Sequence, residues 1–256
     1  MIYVLKRENI SYLHKININI SCVFIHRMNS IADIKHGFYI NLASRTDRKE
    51  QVEAELRKVG LTCAERFNAI KLEDGRIGCS MSHLKCLNLA KENNWSHVLI
   101  CEDDIEFLNP ALFIKQFNTF LTRHDKWDVV LLAGNNLPPY IRDGDECVQV
   151  TQCQTTTGYI VNGHYINTLI ANIKASIVNL MKEPHNHFKY AIDKYWFALQ
   201  QKDKWYLITP LTVVQRAGYS DIEKRPTDFV RAMTDLDKEY LMAAYKRQLE
   251  ARGTGL

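Results

Sequence analysis

The sequence predicts an α/β fold, a single domain with a mostly parallel central sheet flanked by helices. Three observations carry this. From His36 onward, strand-like and helix-like segments alternate. The strongest strand candidates, residues 98–101 (VLIC) and 127–133 (WDVVLLA), are continuous apolar runs, as expected of strands covered on both faces. No internal repeat or low-complexity linker divides the chain, and 256 residues suffice for one full-sized domain.

The elements follow in order. Residues 38–42 form a short apolar strand. A helix comes next, in which Val52, Leu56 and Val59 make one stripe and Gly60 stops it. Ser44 or Thr46 is placed to cap it, with Asp47 and Glu50 in the first turn, where the helix dipole favours acids. A second helix, about 80–93, sets Met81, Leu84, Leu87 and Ala90 on one side. The run 98–101 ends abruptly in Glu102, Asp103 and Asp104. Strand 127–133 follows, and Pro138, Pro139 and the acidic stretch 143–146 mark a loop. Further strands are expected at 158–161 and 205–208, with helices near 164–181 and 190–201 between them, and a last helix from about 235 to 248. Residues 1–36 read as an N-terminal extension or edge segment, and 37–256 as the domain proper.

Composition excludes several classes. Apolar residues make up 46% and charged residues 24%, which rules out disorder, collagen-like repeats and a disulfide-stapled miniprotein. A net charge of +4 is too mild to argue for nucleic acid, which asks for a concentrated basic stripe. The seven cysteines (Cys22, Cys63, Cys79, Cys86, Cys101, Cys147 and Cys153) are odd in number and lack CxxC spacing, so they fit neither a disulfide framework nor a zinc site. They point to a reducing, cytoplasmic setting. No apolar stretch approaches the roughly 20 residues of a membrane span. Residues 16–25 alternate and then turn apolar, without the longer uninterrupted core of a signal peptide. Nothing here fixes an oligomeric state.

The acidic triplet is the chemical signal. Three adjacent carboxylates in an apolar setting would protonate unless a cation joins them. In open α/β sheets ligands sit at the carboxyl ends of strands. If the segment stays extended, Glu102 and Asp104 point one way and Asp103 the other. Two carboxylates on one side can hold a hard divalent ion with positions left open for phosphate oxygens. The competing reading is a solvated acidic loop.

Several segments taken together resemble glycosyltransferase family 25, which includes lipopolysaccharide sugar transferases and collagen-type galactosyltransferases. The opening FYINLASRTDR is similar to the family's YxINLxxRxxR start, through Tyr39, Asn41, Leu42, Arg45 and Arg48. Phe67, Ala69 and Ile70 resemble its Phe-x-Ala segment, and Gly78, Cys79, Ser82 and His83 its Gly-Cys-x-x-Ser-His block. The buried strand ending in EDD follows, and residues 156–161 and 215–223 resemble later segments. The match covers about residues 37–225, in order. The Asn-, Ile- and Lys-rich flavour is similar to members from large DNA viruses, which would place the protein in a host cytoplasm.

The resemblance implies a GT-A fold and transfer of a sugar from a UDP-sugar donor to a glycan or protein hydroxyl, with Mn²⁺ (or Mg²⁺) as the ion. It implies Asp104 as direct metal ligand and Glu102 as its helper, with Asp103 near the donor sugar. It places Asn41, Leu42, Arg45, Arg48, Ala69, Ile70, Gly78, Ser82 and His83 around the donor. Arginines suit bidentate phosphate contact, although Arg45 and Arg48 could instead pair with Asp47 or Glu50. Gly78 allows close backbone approach, and Ser82 and His83 are expected in the first turn of their helix, near its free amides.

An inverting transfer also needs a general base. Asp193 begins a helix whose Ile192, Trp196 and Leu199 form the buried stripe, and the family's Asp-x-x-Trp pattern supports it in that role. It could equally be a favourable first-turn acid. Asp221 is the rival, as base, metal ligand or acceptor contact. Thr155, Thr156 and Thr157 are candidates to line the acceptor pocket. A non-catalytic nucleotide-sugar or glycan-binding module of the same fold is the alternative function.

Overall fold

The computed structural model describes residues 28–241. Eight strands form the central sheet: β1 (Gly37–Asn41), β2 (Ala64–Asn68), β3 (His97–Glu102), β4 (Val129–Leu131), β5 (Tyr140–Arg142), β6 (Cys147–Val150), β7 (Gly158–Asn162) and β8 (Trp205–Ile208). Their spatial order is β2-β1-β3-β7-β4-β8-β6-β5. β1 is parallel to β2 and β3, and β8 to β4. β7 runs antiparallel between β3 and β4, and β6 antiparallel between β8 and β5, so six of the eight strands point the same way. The fold is the expected α/β domain with a mostly parallel sheet.

The main helices are α1 (Thr46–Lys58), α2 (Gly75–Glu92), α3 (Pro110–Arg123) and α4 (Ile166–Lys182). Side chains along β3 alternate between two apolar layers: Leu99 and Cys101 join Val52, Leu56, Phe117 and Phe120 of α1 and α3. Val98 and Ile100 join Leu87, Ala90, Leu169 and Ile173 of α2 and α4. Both faces are therefore apolar, which is why the strand reads as an unbroken hydrophobic run. The three phenylalanines of α3, spaced for one helical face, are fully buried. Truncating Phe117 to alanine would cost about 3–5 kcal/mol. Ile31 and Ile34, ahead of β1, are buried in the same layer as α3.

Several local expectations need correction. The α1 stripe of Val52, Leu56 and Val59 is buried as expected, and Gly60 takes φ +76°. Neither Ser44 nor Thr46 caps it, however: Arg45 holds the N-cap position without a side-chain cap bond, and Asp47 bonds to Arg45 instead. α2 begins at Gly75, several residues earlier than expected, because Asp74 caps it by accepting the Arg76 amide. Its most buried stripe is Ser82, His83, Cys86, Leu87 and Ala90, whereas Met81 and Leu84 lie at the margin. The segment expected as a helix at 190–201 breaks into three short turns, His187–Tyr190, Ile192–Tyr195 and Phe197–Gln200. The N-terminal segment 1–27 and the second half of the expected helix 235–248 lie outside the described residues, and within the described half residues 235–238 are not helical, helix beginning only at 239.

Candidate functional site

The sheet order puts a topological switch between β1 and β3. The chain leaves β1 to form β2 on one side, then crosses back to place β3 on the other. A crevice at the carboxyl ends of such strands is the expected ligand position. A cleft of about 400 Å³ opens there, lined by Leu42, Ala69, Ile70, Cys79, Glu102 and Asp104 among others.

β3 ends at Glu102 and the chain turns through Asp103 and Asp104. The turn breaks strand alternation, so Asp103 and Asp104 both reach Arg48, while the charge of Glu102 still lies close to Asp104. Glu102 faces α2 and β7: its Oε1 accepts from Thr156 Oγ1 at 2.8 Å and from Cys79 Sγ at 3.4 Å, and lies 3.3 Å from His83 Nε2. Asp103 faces β1, where Asn41 Nδ2 donates at 2.8 Å and Arg48 Nη1 at 2.9 Å. The same Arg48 nitrogen lies 3.3 Å from Asp104 Oδ2. Asp104 Oδ1 is buried and has no hydrogen-bond partner.

The electrostatics follow from this arrangement. Burial, with the charge of Glu102 close by, pushes the Asp104 carboxyl up to about 8. Asp103 is also raised, burial outweighing Arg48 and Asn41. Burial pushes Glu102 upward too, yet the hydrogen bond and charge of His83, with Thr156 and Cys79, leave it below its ordinary value. Three carboxylates therefore share one guanidinium and one imidazole, and the deficit falls on Asp104. An orphaned, deeply placed carboxylate oxygen beside two further acids fits a hard divalent cation. Cys79, His83 and Glu102 also bring ligand atoms within 4.8 Å of one another. There, however, His83 Nδ1 is taken by Tyr159 Oη at 2.8 Å, and burial drives the Cys79 thiol far up.

The other predicted residues take distinct places. Arg48 reaches the acidic cluster and also donates to the Tyr219 carbonyl at 2.7 Å. Arg45 pairs with Asp47 at 2.9 Å and with Asp221 at 2.7 Å, and Asp221 lines the cleft. Neither arginine pairs with Glu50. Leu42, Ala69 and Ile70 line the cleft wall as expected. Asn41 is buried and ties the neighbourhood together, donating to Asp103 and to the Arg45 carbonyl while accepting from Arg66 Nε at 2.9 Å. Gly78 does permit close approach: a Cβ there would stand 2.4 Å from the Ile70 carbonyl.

Ser82 and His83 are not in the first turn, because α2 starts at Gly75. Ser82 Oγ accepts the Ile70 amide at 2.9 Å and donates to the Gly78 carbonyl at 2.8 Å, which pins the 69–72 loop. His83, fully buried, stacks on Tyr159 and supports Glu102 from below the cleft. Asp193 accepts the Thr155 amide at 3.1 Å. Thr155 has φ +75°, and its neighbour Thr156 is the residue bound to Glu102.

Sequence reasoning missed Lys71, Leu72 and Lys224 in the lining. They come from loops, where no periodicity marks them. It also missed Arg76, which pairs with Glu223 at 2.7 Å. Together with the Arg45–Asp221 and Arg48–Tyr219 contacts, that pair fastens segment 218–224 across the cleft.

Residues 70–196 match the family described as glycosyltransferase family 25 (LPS biosynthesis protein). That stretch, just under half of the chain, belongs with glycosyltransferase family 25. The matched stretch holds Gly78, Ser82, His83, the acidic triplet and Asp193. A curated Haemophilus influenzae protein, named only provisionally as a glycosyltransferase, is 30% identical over 92 residues, covering 28% of this chain and 33% of that protein. The chain thus spans about a third of that relative's length. Among solved structures, a glycosyltransferase involved in glycosylating the major capsid of PBCV-1 is similar at TM-score 0.47 and 11% identity, over 74% of this chain and 95% of the other. The glycosyltransferase GlyE of Streptococcus pneumoniae is similar at TM-score 0.39 and 10% identity, over 70% and 46% respectively. The assignment to family 25 rests on the residues matched to the family, not on these structural likenesses.

Proposed function

We propose that this chain is a metal-dependent, inverting glycosyltransferase that moves a sugar from a UDP-sugar to a hydroxyl of a glycan or protein. The observation that carries the reading is Asp104: a buried carboxylate, with one oxygen unpartnered, at the mouth of a cleft on the sheet's switch point. Asp104 would hold Mn²⁺ or Mg²⁺ through that oxygen, with Glu102 as its helper. The ion, when bound, supplies charge neutralisation for a departing diphosphate.

The chain's own residues do the rest. Leu42, Ala69 and Ile70 offer an apolar wall for the base. Arg45 and Arg48, at the carboxyl end of β1, exchange their carboxylate partners for diphosphate oxygens, a geometry that guanidinium groups suit. Asn41 and Ser82 hold the walls in register, and Asp103 lies between Asn41 and Arg48 beside the donor sugar. Asp193 takes the proton from the acceptor hydroxyl as its oxygen bonds to the anomeric carbon and the bond to the diphosphate breaks, releasing UDP. Asp221, held by Arg45, is the rival base.

The test is calorimetric binding and UDP release across a panel of UDP-sugars, with Mn²⁺ and with chelator. The reading expects one UDP-sugar to bind only with metal. Absence of any nucleotide-sugar binding in Mn²⁺ would overturn it.

A further inference from the structure

Away from the cleft, one surface carries large apolar side chains that nothing among the described residues covers. On the last turns of α4 and the segment after it, Val178, Met181 and Phe188 are 49%, 62% and 69% exposed. They alternate with exposed lysines, Lys174, Lys182 and Lys189, and with exposed His185 and His187. Across residues 174–190 the only acid is Glu183, against those three lysines. A buried helix face would not carry lysines, and a purely solvated one would not carry Met181 and Phe188. Apolar side chains mixed with lysines suit a surface that is apolar within and negative at its rim.

The topology places this face beside the cleft. β7 begins at the carboxyl end of β3, with Gly158 opposite Cys101, and ends at the other edge, where the Gly163 amide donates to the Ser96 carbonyl. α4 then runs back toward the cleft edge, about 25 Å for its 17 residues. Its later turns are fastened to the segment that carries Asp193: Ser176 Oγ donates to the Tyr190 carbonyl at 2.8 Å and Asn179 Nδ2 to Tyr195 Oη at 3.2 Å. Asp193 in turn receives the Thr155 amide, next to the residue bound to Glu102. The apolar and basic face and the acidic cluster therefore share one rim of the sheet.

We propose that this face docks the protein on an anionic membrane surface, Val178, Met181 and Phe188 entering the headgroup boundary while Lys174, Lys182 and Lys189 meet acidic headgroups. Docking there turns the cleft's rim toward whatever hydroxyl the surface carries. The docking itself does not depend on the transferase reading, and its test does not use turnover.

The experiment is flotation of the full chain with phosphatidylcholine vesicles, with and without 30% phosphatidylglycerol (roughly a physiological anionic fraction), at low and high salt. Binding is expected to the anionic vesicles and not to the neutral ones, and to weaken with salt. Neutralising one lysine should weaken it about fivefold. Phe188→Asp, at a largely exposed site whose one ring contact is with His187, should weaken it about tenfold or more. Met181→Ser serves as the second variant, and thermal unfolding confirms that each is folded. Failure to bind anionic vesicles, or binding that Phe188→Asp and the Lys182→Glu/Lys189→Glu pair leave unchanged, overturns the proposal. So does a concentration-dependent dimer abolished by Phe188→Asp, which would make a second copy the occupant.

Discussion

Two stretches of this chain look alike on paper and behave differently in the fold. Residues 102–104 (EDD) and 143–146 (DGDE) are both acidic, and each places at least one carboxylate out of solvent, Asp103 and Asp104 in the first and Glu146 in the second. In the second, Arg123 Nη1 sits 2.7 and 2.8 Å from the two oxygens of Glu146, whose residue is 2% exposed, and His124 and Cys147 close the site. His124, Glu146 and Cys147 are close enough to hold a metal, but the guanidinium already supplies the missing positive charge. In the first, Arg48 must serve two aspartates, and Asp104 is left with an oxygen that nothing meets. The lesson is that a deficit of compensating charge, rather than a count of acids, distinguishes a ligand site from a structural ion pair.

The sharpest way to break that comparison is at the proposed base. Asp193→Asn should lower turnover by about a hundredfold to ten-thousandfold while leaving metal-dependent UDP binding unchanged, as read by steady-state assay beside calorimetry. Equal loss in Asp221→Asn with Asp193→Asn active would move the base to Asp221.

A third buried ionisable group extends the comparison, because it is neither paired nor left wanting. His97, 6% exposed, accepts the Lys35 amide at Nε2 and is held near 4 by burial, with His36 adding to the effect. Its folded value lies below its ordinary 6.5, so the fold favours the neutral ring. The stability this contributes is present above about pH 6.5 and is lost as pH falls toward 4, by up to roughly 3 kcal/mol. Denaturant titrations at pH 7 and pH 4.5 should differ in that sense, and His97→Gln should flatten the difference.

The structural pair predicts a loss of similar or smaller size. Arg123→Ala strands a buried carboxylate and should destabilise the protein by about 2–3 kcal/mol, less than a fully buried pair because Arg123 is itself half-exposed. Thermal unfolding checks this. Asp104→Asn, the smallest effect, should leave stability unchanged or raise it by about 1 kcal/mol, since it replaces a buried carboxyl group that has one oxygen unpartnered and an unfavourable charged form.

How much of this was legible from residues depends on what encodes each feature. The alternation of strands and helices, the stripe of Val52, Leu56 and Val59, and the doubly covered run at 98–101 are written in periodicity, and they hold. Strand direction is not so written: residues 158–161 are as apolar as a parallel strand, yet β7 runs antiparallel. The early start of α2 through Gly75 and Gly78 runs against helix propensity and is decided by the Asp74 cap and by packing on the Ile70 loop. At the candidate site the residue types were readable but their partners were not. A turn after Glu102 swings Asp103 and Asp104 onto Arg48, and an added turn of helix ahead of residue 80 takes His83 out of the first turn and sets it against Glu102. Loop contributors such as Leu72 and Lys224 carry no local signal at all.

The central claim is that the charge missing at Asp104 is supplied by a divalent cation that brings a nucleotide diphosphate with it. The most direct measurement is calorimetric titration of Mn²⁺ and UDP into wild type and Asp104→Asn, alongside their unfolding temperatures. The account predicts UDP binding that requires Mn²⁺ in wild type and is abolished in Asp104→Asn, with the variant at least as stable as the parent. UDP binding that is equally tight in chelator, or that survives Asp104→Asn intact, would contradict it.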